Sequence, residues 1–236
     1  MNITKDSHVS AVATEMPATI RVFQQHGIDF CCGGKRPLAE ACADLGLGVD
    51  ALVAELRGTV AGAEAERNWQ TASLGELIGH IQQRFHEPLR QELTRLAAMM
   101  AKVVSRHGDH LPETLGPLAA TFGALHDDLL HHMSKEDSVL FPAIVAAEMG
   151  DVAAASFVSQ PIGVMEAEHE QAGLALARMR ELTGGYAPPE WACPTFRGLY
   201  FGLAEFEREM RVPVHLENNI LFPRAAATTT IAAPAL

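Results

Sequence analysis

The sequence has no apolar run of 18 residues, and no basic stretch leading into an apolar one at its start. The first absence excludes a membrane-spanning helix, and the second leaves no export signal to read. Positive charge is short: 18 Lys and Arg stand against 29 Asp and Glu, for a net charge of −11. Nucleic acid and anionic membrane surfaces both need clustered Lys and Arg, so neither is expected as a partner. Cysteine is sparse as well. The four are Cys31, Cys32, Cys42 and Cys193, and two are adjacent, which is no disulfide framework. With no export signal, a cytoplasmic setting is expected, with the cysteines as thiols. Alternating β-branched runs are scarce while Ala, Leu, Glu and Met dominate, so the expected class is all-α.

What is present is organised around one stretch, His132 to Pro142, which reads His-Met-Ser-Lys-Glu-Asp-Ser-Val-Leu-Phe-Pro. Its second part returns near the end of the chain. Glu136-Asp-Ser-Val-Leu-Phe-Pro142 recurs as Glu217-Asn-Asn-Ile-Leu-Phe-Pro223, offset by 81 residues. Two histidines follow nearly the same offset, His86 and His169, 83 apart. On an α-helix His132 and Glu136 share a face, one turn apart. Leu125, Leu129, Val139 and Ala143 fall on that face too, which places the pair in the buried stripe. A carboxylate there is costly unless it is paired or binds a metal. A single inward His is more often a hydrogen-bonded core residue, and one His–Glu pair can be a surface pair. Two copies of the same polar set are hard to ascribe to packing, and a metal site in the core of a helix bundle is the reading that fits.

The chain of 236 residues, 48% apolar, has room for one full domain and one small one. Residues 1–57 read as a small helical domain, with helices expected from Val9 to Gln25, from Pro37 to Leu45 and from Asp50 to Arg57. Its core is thin, so it should dock on the larger domain or pair with a second copy, as in a homodimer. Residues 58–70 read as a linker. Residues 71–228 read as four long helices, the first opened by the capping box Ser73-Leu-Gly-Glu76 and interrupted by Pro88, which should kink it beside His86.

Between the first two small helices lies Asp29-Phe30-Cys31-Cys32-Gly33-Gly34-Lys35. The glycines would free the backbone for positive φ, and Lys35 and Arg36 would lower a thiol pKa. Cys31 and Cys32 are candidates for a thiolate donor, an iron relay or a redox pair, whereas Cys42 and Cys193 read as packing residues. Glu166, one turn before His169, is the best spare carboxylate, and Glu168 reads as a partner to a ligand.

These residues, with Phe85-His86, His132-Met-Ser-Lys-Glu136, Met165-Glu-Ala-Glu-His169 and Leu216-Glu-Asn-Asn-Ile-Leu-Phe-Pro223, resemble the repair-of-iron-centres di-iron proteins. The resemblance covers nearly the whole chain. It implies a hemerythrin-like four-helix bundle behind a cysteine-bearing N-terminal domain. It implies two non-haem iron ions held by His86, His132, Glu136, His169 and Glu217, bridged by the two carboxylates and by an oxo group when oxidised. It also implies repair of iron–sulfur proteins damaged by nitric oxide or oxidants, with nitric oxide reduction to nitrous oxide or oxygen binding and sensing as alternatives. The family pattern breaks at one place. It has a histidine four residues before the second Glu, and here that residue is Pro213. His215 faces away in a regular helix, and only a kink at Pro213 would bring it in as the sixth ligand. Otherwise one iron lacks a protein nitrogen.

Overall fold

The computed structural model describes residues 2–61 and 67–231, and among these there is no strand. The N-terminal unit consists of α1 (Val9–Glu15), α2 (Ile20–Gln25), α3 (Leu38–Leu45) and α4 (Val49–Ala61). The stretch expected as one helix from Val9 to Gln25 is two. Pro17 has no N–H to give, and its ring crowds the carbonyl four residues back. The chain therefore turns at Met16 (φ −134°, ψ 73°) and restarts through a 3-10 turn, Pro17–Thr19. Gly27 follows α2 at φ +69°, the left-handed position that closes a helix. Val12, Phe23, Ile28, Phe30, Leu38 and Leu56 fill the core. α4 runs four residues into the stretch read as linker, and residues 62–66 of that stretch lie outside the described residues.

The larger unit is a four-helix bundle. Its first helix is α5 (Leu74–Ile81) and α6 (Glu87–His107), its second α7 (Pro112–Lys135) and α8 (Phe141–Glu148). After the short α9 (Val152–Phe157), its third is α10 (Ser159–Leu182) and its fourth α11 (Pro194–Leu216) with α12 (Phe222–Ile231). The expected capping box starts α5: Ser73 Oγ accepts from the Glu76 N–H and Glu76 Oε2 from the Ser73 N–H, both at 3.1 Å. Among the described residues no helix is long and apolar enough to cross a membrane.

Three of the four long helices are interrupted by a π turn: Gln82–His86, Glu136–Leu140 and Glu217–Leu221. In each the N–H of the next residue reaches five residues back: Glu87 to Gln82, Phe141 to Glu136, Phe222 to Glu217. Each is followed by a proline in the same place, Pro88, Pro142 and Pro223. A proline lacks the donor and carries a ring that α winding cannot accept, and the wider turn accommodates both. Pro88 therefore stands behind a widened turn where a kink was expected.

The extra residue also shifts the helical phase. Val139, expected inside, is 48% exposed, and Leu140 is buried in its place. Leucines and aromatics fill the bundle on both sides of these turns. Leu96, Leu118, Phe122, Leu199 and Phe206 pack on one side, and Leu77, Leu140, Ile144, Leu221 and Ala225 on the other. A polar layer lies between them.

Candidate metal centre

The polar layer holds His86, His132, Glu136, His169 and Glu217, all buried, with both carboxylates at 1% exposure or less. His132, Glu136, His169 and Glu217 each bring one ligand atom to within 4.8 Å of all the others. His132 Nε2 lies 3.3 Å from Glu136 Oε2, and His169 Nε2 lies 3.2 Å from Glu217 Oε2. The two Nε2 atoms are 3.0 Å apart. His86 stands on the other side of the same carboxylates, 3.4 Å from Glu136 Oε2 and 3.6 Å from Glu217 Oε1.

Each imidazole is fixed from behind. His86 Nδ1 meets Asp137 Oδ1 at 2.9 Å, His132 Nδ1 meets Glu168 Oε2 at 2.9 Å, and His169 Nδ1 meets Asn218 Oδ1 at 2.8 Å. These acceptors draw the ring proton to Nδ1, so the neutral ring turns a lone pair on Nε2 into the layer. The carboxylates there add only lone pairs. Both oxygens of Glu136 and Glu217 Oε1 are buried without a hydrogen-bond donor. So many acceptors facing one another repel unless cations lie among them. Without a cation the layer must take protons. Burial opposes a charge on His86, but Asp137, Glu217 and Glu136 outweigh it and raise its pKa to about 10. His169 is likewise raised to about 9, burial being outweighed by Glu217, Glu136 and Asn218. Of the carboxylates, burial and the charge of Glu217 push Glu136 up, while His169 and His86 hold Glu217 down against its burial. The donor set, carboxylate oxygen with imidazole nitrogen, fits a metal centre.

The duplication extends beyond the residues that the sequence pattern singled out. The residue after each repeated Glu, Asp137 or Asn218, accepts from the earlier histidine of its half. The repeated Phe stacks on that ring, Phe141 on His86 (15° between planes) and Phe222 on His169 (8°). The repeat contains all four residues, and their 81-residue offset was the signal that would have found them. Glu168 serves His132 and also pairs with Lys135, whereas Glu166 is exposed and lies apart from the layer.

His215 does not join the layer. It is buried, but its Nδ1–H donates to the Phe30 carbonyl at 3.2 Å and its ring meets the Phe30 ring edge-on. Burial lowers its pKa to about 4. Pro213 has not turned it inward, and it serves instead as a contact between the two units. Asn219 Nδ2 donates to the Cys31 carbonyl at 3.1 Å, and Arg211 reaches the Ile28 carbonyl at 3.3 Å. The small unit thus docks on α11 and the π turn that follows it.

This docking sets the cysteines over a cleft of about 620 Å3 whose lining includes Asp29, Cys32, Glu166 and His169. Asp29 organises the turn: Oδ1 accepts from the Cys31 and Cys32 N–H groups at 2.9 and 3.2 Å, and Oδ2 from Gly33 N–H at 2.9 Å. Neither Gly33 nor Gly34 has positive φ, contrary to expectation. They are glycine for room: a Cβ on Gly33 would lie 2.9 Å from Asp29 Oδ2, and one on Gly34 2.8 Å from the Phe30 carbonyl oxygen. The Cys32 thiol is held below its usual pKa by a hydrogen bond from Cys31 and, against burial, by the charge of His169. Cys31 is pushed well up by the Cys32 sulfur, by burial and by Asp29. Lys35 and Arg36 do not supply the effect, and Arg36 pairs with Asp44. Cys32 Sγ lies 3.8 Å from Asn218 Nδ2, so one amide links the sulfur to His169. Cys42 is packed in the small core, and Cys193 lies 3.4 Å from His107 Nε2.

Residues 77–225 match the hemerythrin HHE cation binding domain, and residues 5–59 match a domain of unknown function, DUF542. Iron–sulfur cluster repair proteins YtfE of Yersinia pseudotuberculosis serotype O:1b (strain IP 31758) and Yersinia pestis (strain Pestoides F) are each 41% identical over 221 residues. That span is 94% of this chain and 97% of either relative. The chain belongs to the YtfE family. The matched cation-binding domain contains the layer of buried His and Glu, and the other matched domain carries the cysteine turn.

Proposed function

We propose that the chain holds two iron ions between His86, His132, His169 and the shared carboxylates Glu136 and Glu217, and uses them to repair iron–sulfur clusters damaged by nitric oxide or oxidants in the cytoplasm. The observation that carries this is the buried layer of lone pairs, three imidazoles tied at Nδ1 and three carboxylate oxygens without donors, under a cleft with two cysteines at its mouth. The name of the relatives, iron–sulfur cluster repair protein, gives the direction.

When bound, the ions supply one-electron ferrous–ferric chemistry and iron that can be donated. Asp137, Glu168 and Asn218 orient the rings and keep each Nε2 free of its proton. The apolar layers on either side exclude bulk water. Cys32, with its lowered pKa, is the more readily deprotonated of the two thiols at the cleft, and Cys31 keeps its proton more firmly beside it. Iron handed to a damaged client at the cleft would find Cys31 and Cys32 there as sulfur ligands to hold it on the way.

The test mixes the iron-loaded protein with a nitrosylated [4Fe–4S] enzyme under anaerobic conditions. Client activity should return, and return less with a Cys31→Ala/Cys32→Ala double variant. No return with the unaltered protein would reject the reading.

A further inference from the structure

The duplication has one broken position inside the polar layer. Glu136 and Glu217, Asp137 and Asn218, and Phe141 and Phe222 all correspond at an offset of 81 residues. By the same offset, the counterpart of His132 is Pro213. On the intact side, His132 and His169 converge with both carboxylates, all four ligand atoms within 4.8 Å. On the broken side His86 stands with the same carboxylates and no second imidazole. His215 is held by the Phe30 carbonyl. The space beside Pro213, about 350 Å3, is lined by Phe85, Leu89, Phe206 and Met210, and the nearby carboxylates Glu205 and Glu209 sit at its partly or fully exposed rim.

Building on the two-ion reading, we infer that the two metal positions are unequal: His132, His169, Glu136 and Glu217 hold a resident ion, while His86 with the same two carboxylates holds an exchangeable one, which lacks the imidazole that Pro213 replaces and can take a small exogenous donor such as imidazole in its stead. The resident position has two imidazoles and two carboxylates. The exchangeable one has a single imidazole and shares the same carboxylates, so it has the same ligand charge but one bond fewer. Changes to residues that merely support a ligand move metal affinity by ~10–100-fold, so a missing imidazole separates the two positions by at least about tenfold. It also marks which ion leaves first when iron is given up.

Anaerobic titration of the metal-free full chain with Co(II), followed by absorbance and by metal content after desalting, tests this. Two phases are expected, at least tenfold apart in affinity. His86→Ala should remove only the weaker phase, and His132→Ala should weaken the tighter one. Imidazole should shift the spectrum of the second ion in the unaltered chain and leave the single-ion spectrum of His86→Ala unchanged. Pro213→His should bring the phases together. Should that variant misfold by circular dichroism, the His86→Ala and imidazole arms decide. Two ions of equal affinity, or loss of the tighter phase in His86→Ala, would overturn the inference while leaving the two-ion reading intact. No cobalt bound at all would overturn both.

Discussion

The two halves of the bundle differ less in how they pack than in what they do chemically. In both, a glutamate opens a π turn, the next residue holds an imidazole, a leucine and a phenylalanine re-enter the core, and a proline follows. The first half surrounds its supporting carboxylate with charge: Asp137 also takes Gln82 and Arg90, and these hydrogen bonds with His86 drive its pKa far down despite burial. The second half places a neutral amide, Asn218, in the same position and turns it toward Cys32. One half is closed and ionic, and the other opens onto the sulfur cleft. The packing residues have stayed alike and the chemical ones have diverged, so the duplicated part of this fold is a scaffold whose two faces serve different ends.

The comparison can be broken most severely at the glutamates. Glu136→Gln and Glu217→Gln should each lower the metal content to less than half that of the unaltered protein, by elemental analysis, because in the proposed centre both ions share both carboxylates. Loss in only one variant would show that the carboxylates are not shared. Next come the leucines. Leu140→Ala and Leu221→Ala each open a cavity in a closed core and should each cost ~2–5 kcal/mol in denaturant unfolding. A cost in one half alone would mean that the halves do not pack alike. The supporting residues come third. Asp137→Ala and Asn218→Ala should each weaken metal binding ~10–100-fold, and only Asn218→Ala should also change the alkylation rate of Cys32. The smallest effect is at the sulfurs. Cys31→Ala removes the hydrogen bond that favours the Cys32 thiolate, so the pH profile of Cys32 alkylation should move to higher pH. A move to lower pH would mean that Cys31 opposes the thiolate.

Much of this could be read from spacing. His132 with Glu136 is one turn of helix, and the recurrence at Glu217 shows that a second helix faces the same interior. The capping box at Ser73 is local chemistry and was equally legible. The π turns were not, because a 3.6-residue period assumes unbroken winding. That assumption is what put Val139 inside where Leu140 sits. Nor was the use of His215, whose partner Phe30 is 185 residues away in another unit. The lowered pKa of Cys32 was ascribed to Lys35 and Arg36, but it comes from the adjacent Cys31 and from His169, which only docking brings near. The roles of Asp137 and Asn218 were within reach, since both lie inside the repeat, each next to its Glu.

The widened turns carry a last consequence. Their shape is secured by Pro88, Pro142 and Pro223 and by the leucines around them, all parts of the chain itself. A small zinc module is a string that its ion ties into a knot; this bundle is a socket moulded in advance. In the proposed centre, loading would swap protons for ions within that frame, and giving an ion away would not unravel the protein that carried it.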